Sequence, residues 1–397
     1  MLGLFISFLD RANLSVVLPS LSKELGYAGA DFSAIVSSTV LTTFLWGYAF
    51  ANIFGGVLAQ RFDPKWVAIW TLSIWSIATV ATGWVTSISF LIICRFIIGV
   101  AEGIYWPQQS RFARAWFAPN ELSRANSLIQ YYGQYLALAI GFIVLSAIHD
   151  SLGWQAVFYI TGGFGLVVVV PVFWTMLKNE SEAPFPVPKE DKKIKLTLKA
   201  LGGAPFFLLV FVKFAQGMLF WGITLWIPMA VKSLGFTGTS QALGSSLPYF
   251  AAVILAVPMS IISDKTGKRV LIAALGLFIP GLLLIMLPMV ESGLLKLIGI
   301  TLALGFHASS FTPNFWSVVQ SSVEPQAVGP AAGIVNGFGA GGGGTTAGFL
   351  VGFVHQMTGS YMYGFGALGV MMILASLALI IFEKVKAKQL KVAIAPS

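Results

Sequence analysis

Charge, cysteine and histidine are scarce in this chain, and each scarcity closes a class of protein. Only 10% of the 397 residues are charged, against about 25% in a soluble domain. The single cysteine, Cys94, excludes an intrachain disulfide framework and a thiolate metal cluster. His149, His307 and His355 are scattered and form no metal spacing. His307 reads as a core residue rather than a proton relay. No Ser/His/Asp or Cys/His arrangement emerges, so an enzyme is not expected, nor is a cofactor. The glycine run at 339–344 lacks the following lysine and preceding strand of a phosphate loop.

What the chain has in quantity is hydrocarbon, at 57% hydrophobic residues. Apolar stretches fall at about 2–21, 34–59, 66–87, 89–110, 123–148 and 154–177. Six more follow at about 205–231, 242–263, 269–290, 293–319, 328–355 and 360–382. Each reaches the roughly 20 residues that a membrane helix needs. Backbone groups in lipid must be satisfied within the segment, and these runs are too long for barrel strands. The expected fold is an all-α membrane protein of twelve transmembrane helices in two six-helix halves. Residues 1–178 form the first bundle, 179–204 a cytoplasmic linker rich in lysine, glutamate and proline, 205–383 the second bundle, and 384–397 a cytoplasmic tail. The linker reads as a solvated connector. The first span lacks a charged n-region and a small-residue cleavage pattern, so it does not read as a cleaved signal peptide.

Basic residues fix the orientation. Arg61, Lys65, Arg111, Arg114, Arg124, the linker lysines, Lys265, Lys268, Arg269 and the tail lysines share one side. The other side carries Lys23, Lys232 and Lys296. Both termini are therefore expected in the cytoplasm of a plasma membrane, bacterial inner membrane above all. The net charge of +9 then faces an anionic leaflet rather than a nucleic acid.

The halves repeat. Pro19, Lys23, Leu25 and Gly26 match Pro228, Lys232, Leu234 and Gly235 at an offset of 209. Gly99, Pro107, Pro119, Ala125 and Gly133 match Gly305, Pro313, Pro325, Ala331 and Gly339 at an offset of 206. Parallel six-span repeats place a substrate site between the halves near the midplane.

Five charged residues lie inside spans: Asp10, Arg11, Arg95, Glu102 and Lys213. An intramembrane charge is a functional candidate by default. Asp10 lies roughly 13 Å into the first span at helical rise. Arg11 projects about 100° around the helix from it, so each can meet a different neighbour. Arg95 and Glu102 are seven apart, two turns, and share one face. Asp10 and Glu102 are the candidate proton carriers, with Arg11 and Arg95 as their charge partners. Arg95 is also a candidate contact for a substrate anion. Lys213 reads two ways. It is a second cation facing the pocket, suited to a dianion, sulfonate or phosphate, or a lysine that snorkels to the interface. The acids have no counterparts in the second half, which offers Gln216, Trp221, Asn314, Trp316, Ser317 and Asn336. The first half is thus expected to carry the proton and the second to shape the substrate pocket, with Gln216, Trp316, Ser317 and Asn336 as contacts.

The segment Gly56-Val57-Leu58-Ala59-Gln60-Arg61-Phe62-Asp63-Pro64-Lys65 resembles the signature loop of the major facilitator superfamily, with Gln60 and Asp63 where that loop has Asp and Gly. Asp264-Lys265-Thr266-Gly267-Lys268-Arg269 is similar to its second-half copy. The resemblance implies a cytoplasmic gate made by Arg61, Asp264, Lys265, Lys268 and Arg269. Asp10-Arg11 with Asn13 and Ser15, Gly99-Val100-Ala101-Glu102-Gly103 with Pro107 and Arg111, and Trp116-Phe117-Ala118-Pro119 resemble the anion:cation symporter family within that superfamily. This implies proton-coupled uptake of a small organic anion such as a hexuronate, aldonate or aldarate. It puts Asp10 and Glu102 at proton-coupling positions and Gln134 and Asn336 at substrate contacts. Family members often have Asn and Pro where Ala340 and Ala347 stand, which bears on pocket polarity and on the bend of span 11. The implied partners are the anion, protons and the bilayer, and a monomer is expected. Anion exchange or export is the alternative, and a ligand sensor a more distant one.

Overall fold

The computed structural model describes residues 1–26, 34–55, 62–118, 131–185, 197–324 and 327–394. Among these the regular structure is helical throughout. We label the rods in chain order. The first are α1 (Leu2–Glu24), α2 (Ala34–Phe50, extended by a π turn Ala51–Gly55), α3 (Pro64–Thr82) and α4 (Ile88–Trp116). Next come α5 (Leu136–Leu152, led by a π turn Tyr131–Tyr135) and α6 (Trp154–Phe164, continued through Gly165–Val169 to Met176). Then follow α7 (Phe206–Ser233), α8 (Gly238–Thr266), α9 (Arg269–Met286) and α10 (Gly293–Ser322). The last are α11 (Val328–Asn336, a π segment Gly337–Gly343, then Gly344–Thr358) and α12 (Tyr361–Ile394).

Among the described residues, α1, α4, α5, α6, α7, α9, α10 and α12 are each long and apolar enough to cross a membrane. Their outer faces carry large apolar side chains in the open: Trp70 is 65% exposed and Val167 75%. In water such a belt would be a liability; in lipid it is the matching surface. Helix ends follow local chemistry. Gly267 (φ 65°) and Gly359 (φ 70°) take the left-handed turn that closes α8 and α11.

Packing repeats with the sequence. In the first six helices α1 packs on α5 and α6, α2 on α4, and α3 on α4 and α6. Six helices on, α7 packs on α11 and α12, α8 on α10, and α9 on α10 and α12. Contacts between the two sets obey the same exchange: α2 meets α11, α5 meets α8, and α1 meets α7. This is a pseudo-two-fold arrangement whose axis runs between α1 and α7. The charged helix α1 is therefore placed at the centre of the molecule.

Candidate functional site

Ser7 and Arg11 lie one turn apart on α1, so they present one face. That face meets Glu102 of α4. Glu102 Oε2 accepts from Arg11 Nε at 2.6 Å and from Ser7 Oγ at 2.7 Å. Arg11 is 3% and Glu102 1% exposed. The guanidinium stands 4.3 Å from the Phe8 ring centroid, 5.0 Å from Phe44, 4.8 Å from Tyr48 and 5.3 Å from Trp221. Such a cage replaces lost hydration by cation–π attraction, worth about 2 kcal/mol or more when desolvated. Trp221 comes from α7, so both helix sets build it.

Asp10 turns away from its neighbour, as the helical angle requires. It is fully buried, and its carboxylate oxygens close no hydrogen bond among the described residues. Trp75, Thr161, Arg95 and Glu102 surround it. Arg95 Nη1 donates to the Asp10 backbone oxygen at 3.3 Å, and its guanidinium lies 5.3 Å from the Phe44 centroid. Arg95 therefore binds the backbone of α1 rather than the wall of a cavity. All four charges that the sequence singled out in the first half converge, but in two layers. Arg11 and Glu102 form one, Asp10 and Arg95 the other.

The cavity opens beside the first layer. Phe8, Arg11, Tyr48, Gln134, Tyr135, Lys213, Gln216, Trp221, Trp316 and Asn336 are among its lining residues. Its volume is about 50 Å³, several times the ~10–15 Å³ that one water needs. Lys213 Nζ donates to Gln216 Oε1 at 2.8 Å and sits 5.3 Å from the Trp316 centroid. It faces the cavity rather than an interface. Its stem passes over Gly339 of α11, where a Cβ would collide with it. The glycine run thus makes room for this lysine, and the π segment there is a form common at functional sites. Asn336 Nδ2 donates to Asn52 Oδ1 at 3.2 Å, linking α11 to α2.

The side chain of Ser317 lies outside the described residues, as do Arg61 and the side chain of Asp264. Lys265, Lys268 and Arg269 are exposed at the α8–α9 turn. Asp63, where the signature loop has Gly, caps α3. Its Oδ1 accepts from the Lys65 N–H and its Oδ2 from the Glu180 N–H, both at 2.9 Å. His307 is buried, with Nδ1 2.9 Å from the Gly276 carbonyl and its ring stacked on Phe311. Sequence reasoning missed Ser7, whose spacing of four from Arg11 was the available signal. It also missed Tyr48, Asn52 and Tyr135, which carry no signal beyond being polar or aromatic in a span.

The Major Facilitator Superfamily model matches residues 1–347. The chain is 28% identical to a protein of Cupriavidus necator named probable sulfoacetate transporter, covering 94% of this chain and 90% of that one. It is 27% identical to the probable galactarate/D-glucarate transporter of Escherichia coli K12, covering 96% and 91%. It is 26% identical to the D-galactonate transporter of another Escherichia coli strain, covering 94% and 90%. Among solved structures it resembles a bacterial homologue of the human lysosomal transporter Spinster, in an inward-facing and occupied conformation. The TM-score is 0.67 at 17% identity, over 98% of this chain and 95% of that one. These relatives are in keeping with the anion:cation symporter resemblance.

Proposed function

The chain belongs to the Major Facilitator Superfamily, and from that premise we propose that it takes up a small organic anion together with protons, by alternating access. The observation that carries this reading is the Arg11–Glu102 pair at 2.6 Å, with Arg11 on the cavity wall. A carboxylate that neutralises the substrate's own cation is a switch. While Glu102 is ionised, Arg11 is occupied. When Glu102 takes a proton, Arg11 is released to an incoming anion. Substrate and proton then bind together without a separate device. Asp10 is the second proton carrier, deeper in the bundle, with Arg95 holding the helix that bears it. Gln134, Gln216, Trp316, Ser317 and Asn336 shape the site, and the relatives' sugar acids and sulfoacetate bound the chemistry of the cargo. The gate residues Arg61, Asp264, Lys265, Lys268 and Arg269 act at the cytoplasmic side. The protein works as a monomer in a bacterial inner membrane, with 1–178 and 205–383 as the two moving bodies and both termini inside.

Flux in proteoliposomes tests the reading. An acid-outside gradient drives accumulation of a labelled anion by the wild type. Asp10→Asn abolishes that accumulation and keeps counterflow exchange. Equal loss of both in Asp10→Asn, or wild-type accumulation indifferent to the gradient, overturns proton coupling. Indifference with intact exchange would instead mark an anion exchanger.

A further inference from the structure

We infer that the substrate is a dianion whose two acidic groups bridge Arg11 and Lys213, and that Lys213 is the residue that selects it. The inference rests on the transport reading above and adds the charge of the cargo.

Two cations face one small cavity from opposite helix sets. Arg11 comes from α1 and Lys213 from α7. Their surroundings differ. Arg11 has an acid, Glu102 at 2.6 Å. Among the described residues Lys213 has no ion-pair partner. Its ammonium contacts are the amide oxygen of Gln216 and the ring of Trp316. The other group in its field is His307, itself bound to the Gly276 carbonyl. Lys213 is 7% exposed. A buried cation held by a neutral amide and an aromatic face is only partly compensated, and an anion is the missing partner.

Charge decides the class. With Glu102 ionised, Arg11 is balanced and Lys213 is the cavity's surplus charge. With Glu102 protonated, Arg11 joins it and the cavity shows two positive charges. A monoanion balances one of them and touches one helix set. A dianion balances both and ties α1 to α7. That bridge draws the halves together, which closure around a cargo requires. A carboxylate can meet the planar guanidinium with two hydrogen bonds. A second carboxylate or a sulfonate suits the point charge of the ammonium.

The test is calorimetric binding at pH 6 by purified wild type, K213M and K213R. The probes are malonate, succinate and sulfoacetate, beside acetate, butyrate and methanesulfonate. The wild type binds the dianions at least about tenfold more tightly than their monoanionic partners. K213M loses the preference, binding dianions and monoanions within about twofold of each other, while K213R keeps it. Wild-type binding of monoanions as tight as dianions overturns the inference and leaves anion transport standing. A dianion-to-monoanion ratio unchanged in K213M means that Lys213 does not select the dianion and also overturns it. Absence of binding by any of the six, together with absence of flux for sugar acids, removes the transport reading itself. The wild-type comparison stands even where K213M fails to fold.

Discussion

At the scale of single residues, Arg11 combines three jobs that no other side chain can combine. Its Nε reaches Glu102, its charge faces the cavity, and its flat face lies among Phe8, Phe44, Tyr48 and Trp221. Lysine keeps the charge and loses the planar fork and the stacking. Arg11→Lys is therefore expected to lower the initial rate of uptake at least about tenfold with the protein still folded. A rate within twofold of wild type in matched proteoliposomes would show that charge alone suffices. Ser7→Ala is the milder probe. It removes one of two donors to Glu102 Oε2, worth roughly 1.5–3 kcal/mol as a bond to a charged group. With less to hold it ionised, Glu102 takes its proton more readily. The pH profile of uptake should move toward higher pH, while maximal rate is kept. An unmoved profile would disconnect Ser7 from the proposed proton site. These residues were unevenly legible in the sequence. A charge in a hydrophobic run announces itself, which is why all of Asp10, Arg11, Arg95, Glu102 and Lys213 stood out. Which charge meets which is a matter of helix rotation. Arg95, read both as a charge partner of the acids and as a substrate contact, donates to the Asp10 carbonyl.

At the scale of elements, the glycines of α11 divide into those that make room and those that do not. A Cβ at Gly339 would strike the Lys213 stem, and one at Gly343 the Phe214 backbone oxygen. At Gly342 it would meet only the Phe214 ring at 3.7 Å, an ordinary contact. Gly339→Ala should therefore weaken anion binding and lower thermal stability, by roughly 1–3 kcal/mol of overpacking. Gly342→Ala should leave both nearly unchanged. Comparing melting temperature and binding across the pair checks this; equal effects would mean the run serves flexibility rather than clearance. The sequence showed the run and its helix but not which glycine faces α7, since a π segment shifts the register that an ideal α-helix would predict. Asp63 shows the converse. A departure from the signature loop, it has become a helix cap that also holds the Glu180 N–H. Nothing in local spacing ties residue 63 to residue 180.

At the scale of the whole molecule, the repeat offsets in the sequence reappear as a repeat of helix neighbours, and the exchange of α2–α11 with α5–α8 follows from it. That much was legible, because a duplicated sequence folds twice and the copies must meet by a two-fold. The state of the assembly was not legible, since it depends on weak contacts across the seam. One of them is Asn336 Nδ2 to Asn52 Oδ1 at 3.2 Å. Asn52 also donates to the Tyr48 carbonyl at 3.0 Å, which fixes its side chain on α2. Asn336 borders the cavity, so water can take over its donor when Asn52 is shortened. The loss in Asn52→Ala is then a net neutral hydrogen bond, about 1 kcal/mol. Spread over a two-state equilibrium, that is roughly a fivefold shift toward the state in which α2 and α11 part. A cysteine at Ala340, on the cavity wall, reports it once the buried Cys94 is replaced by serine. Labelling by a small hydrophilic maleimide should run about fivefold faster in the Asn52→Ala background. Saturating dianion should slow it again, because the inferred bridge between Arg11 and Lys213 would tie the two helix sets together by a different contact. A labelling rate unchanged by Asn52→Ala would mean that the seam is held by packing alone, with the close approach of Ala49 to Gly341 and of Thr42 to Gly348 as its substance.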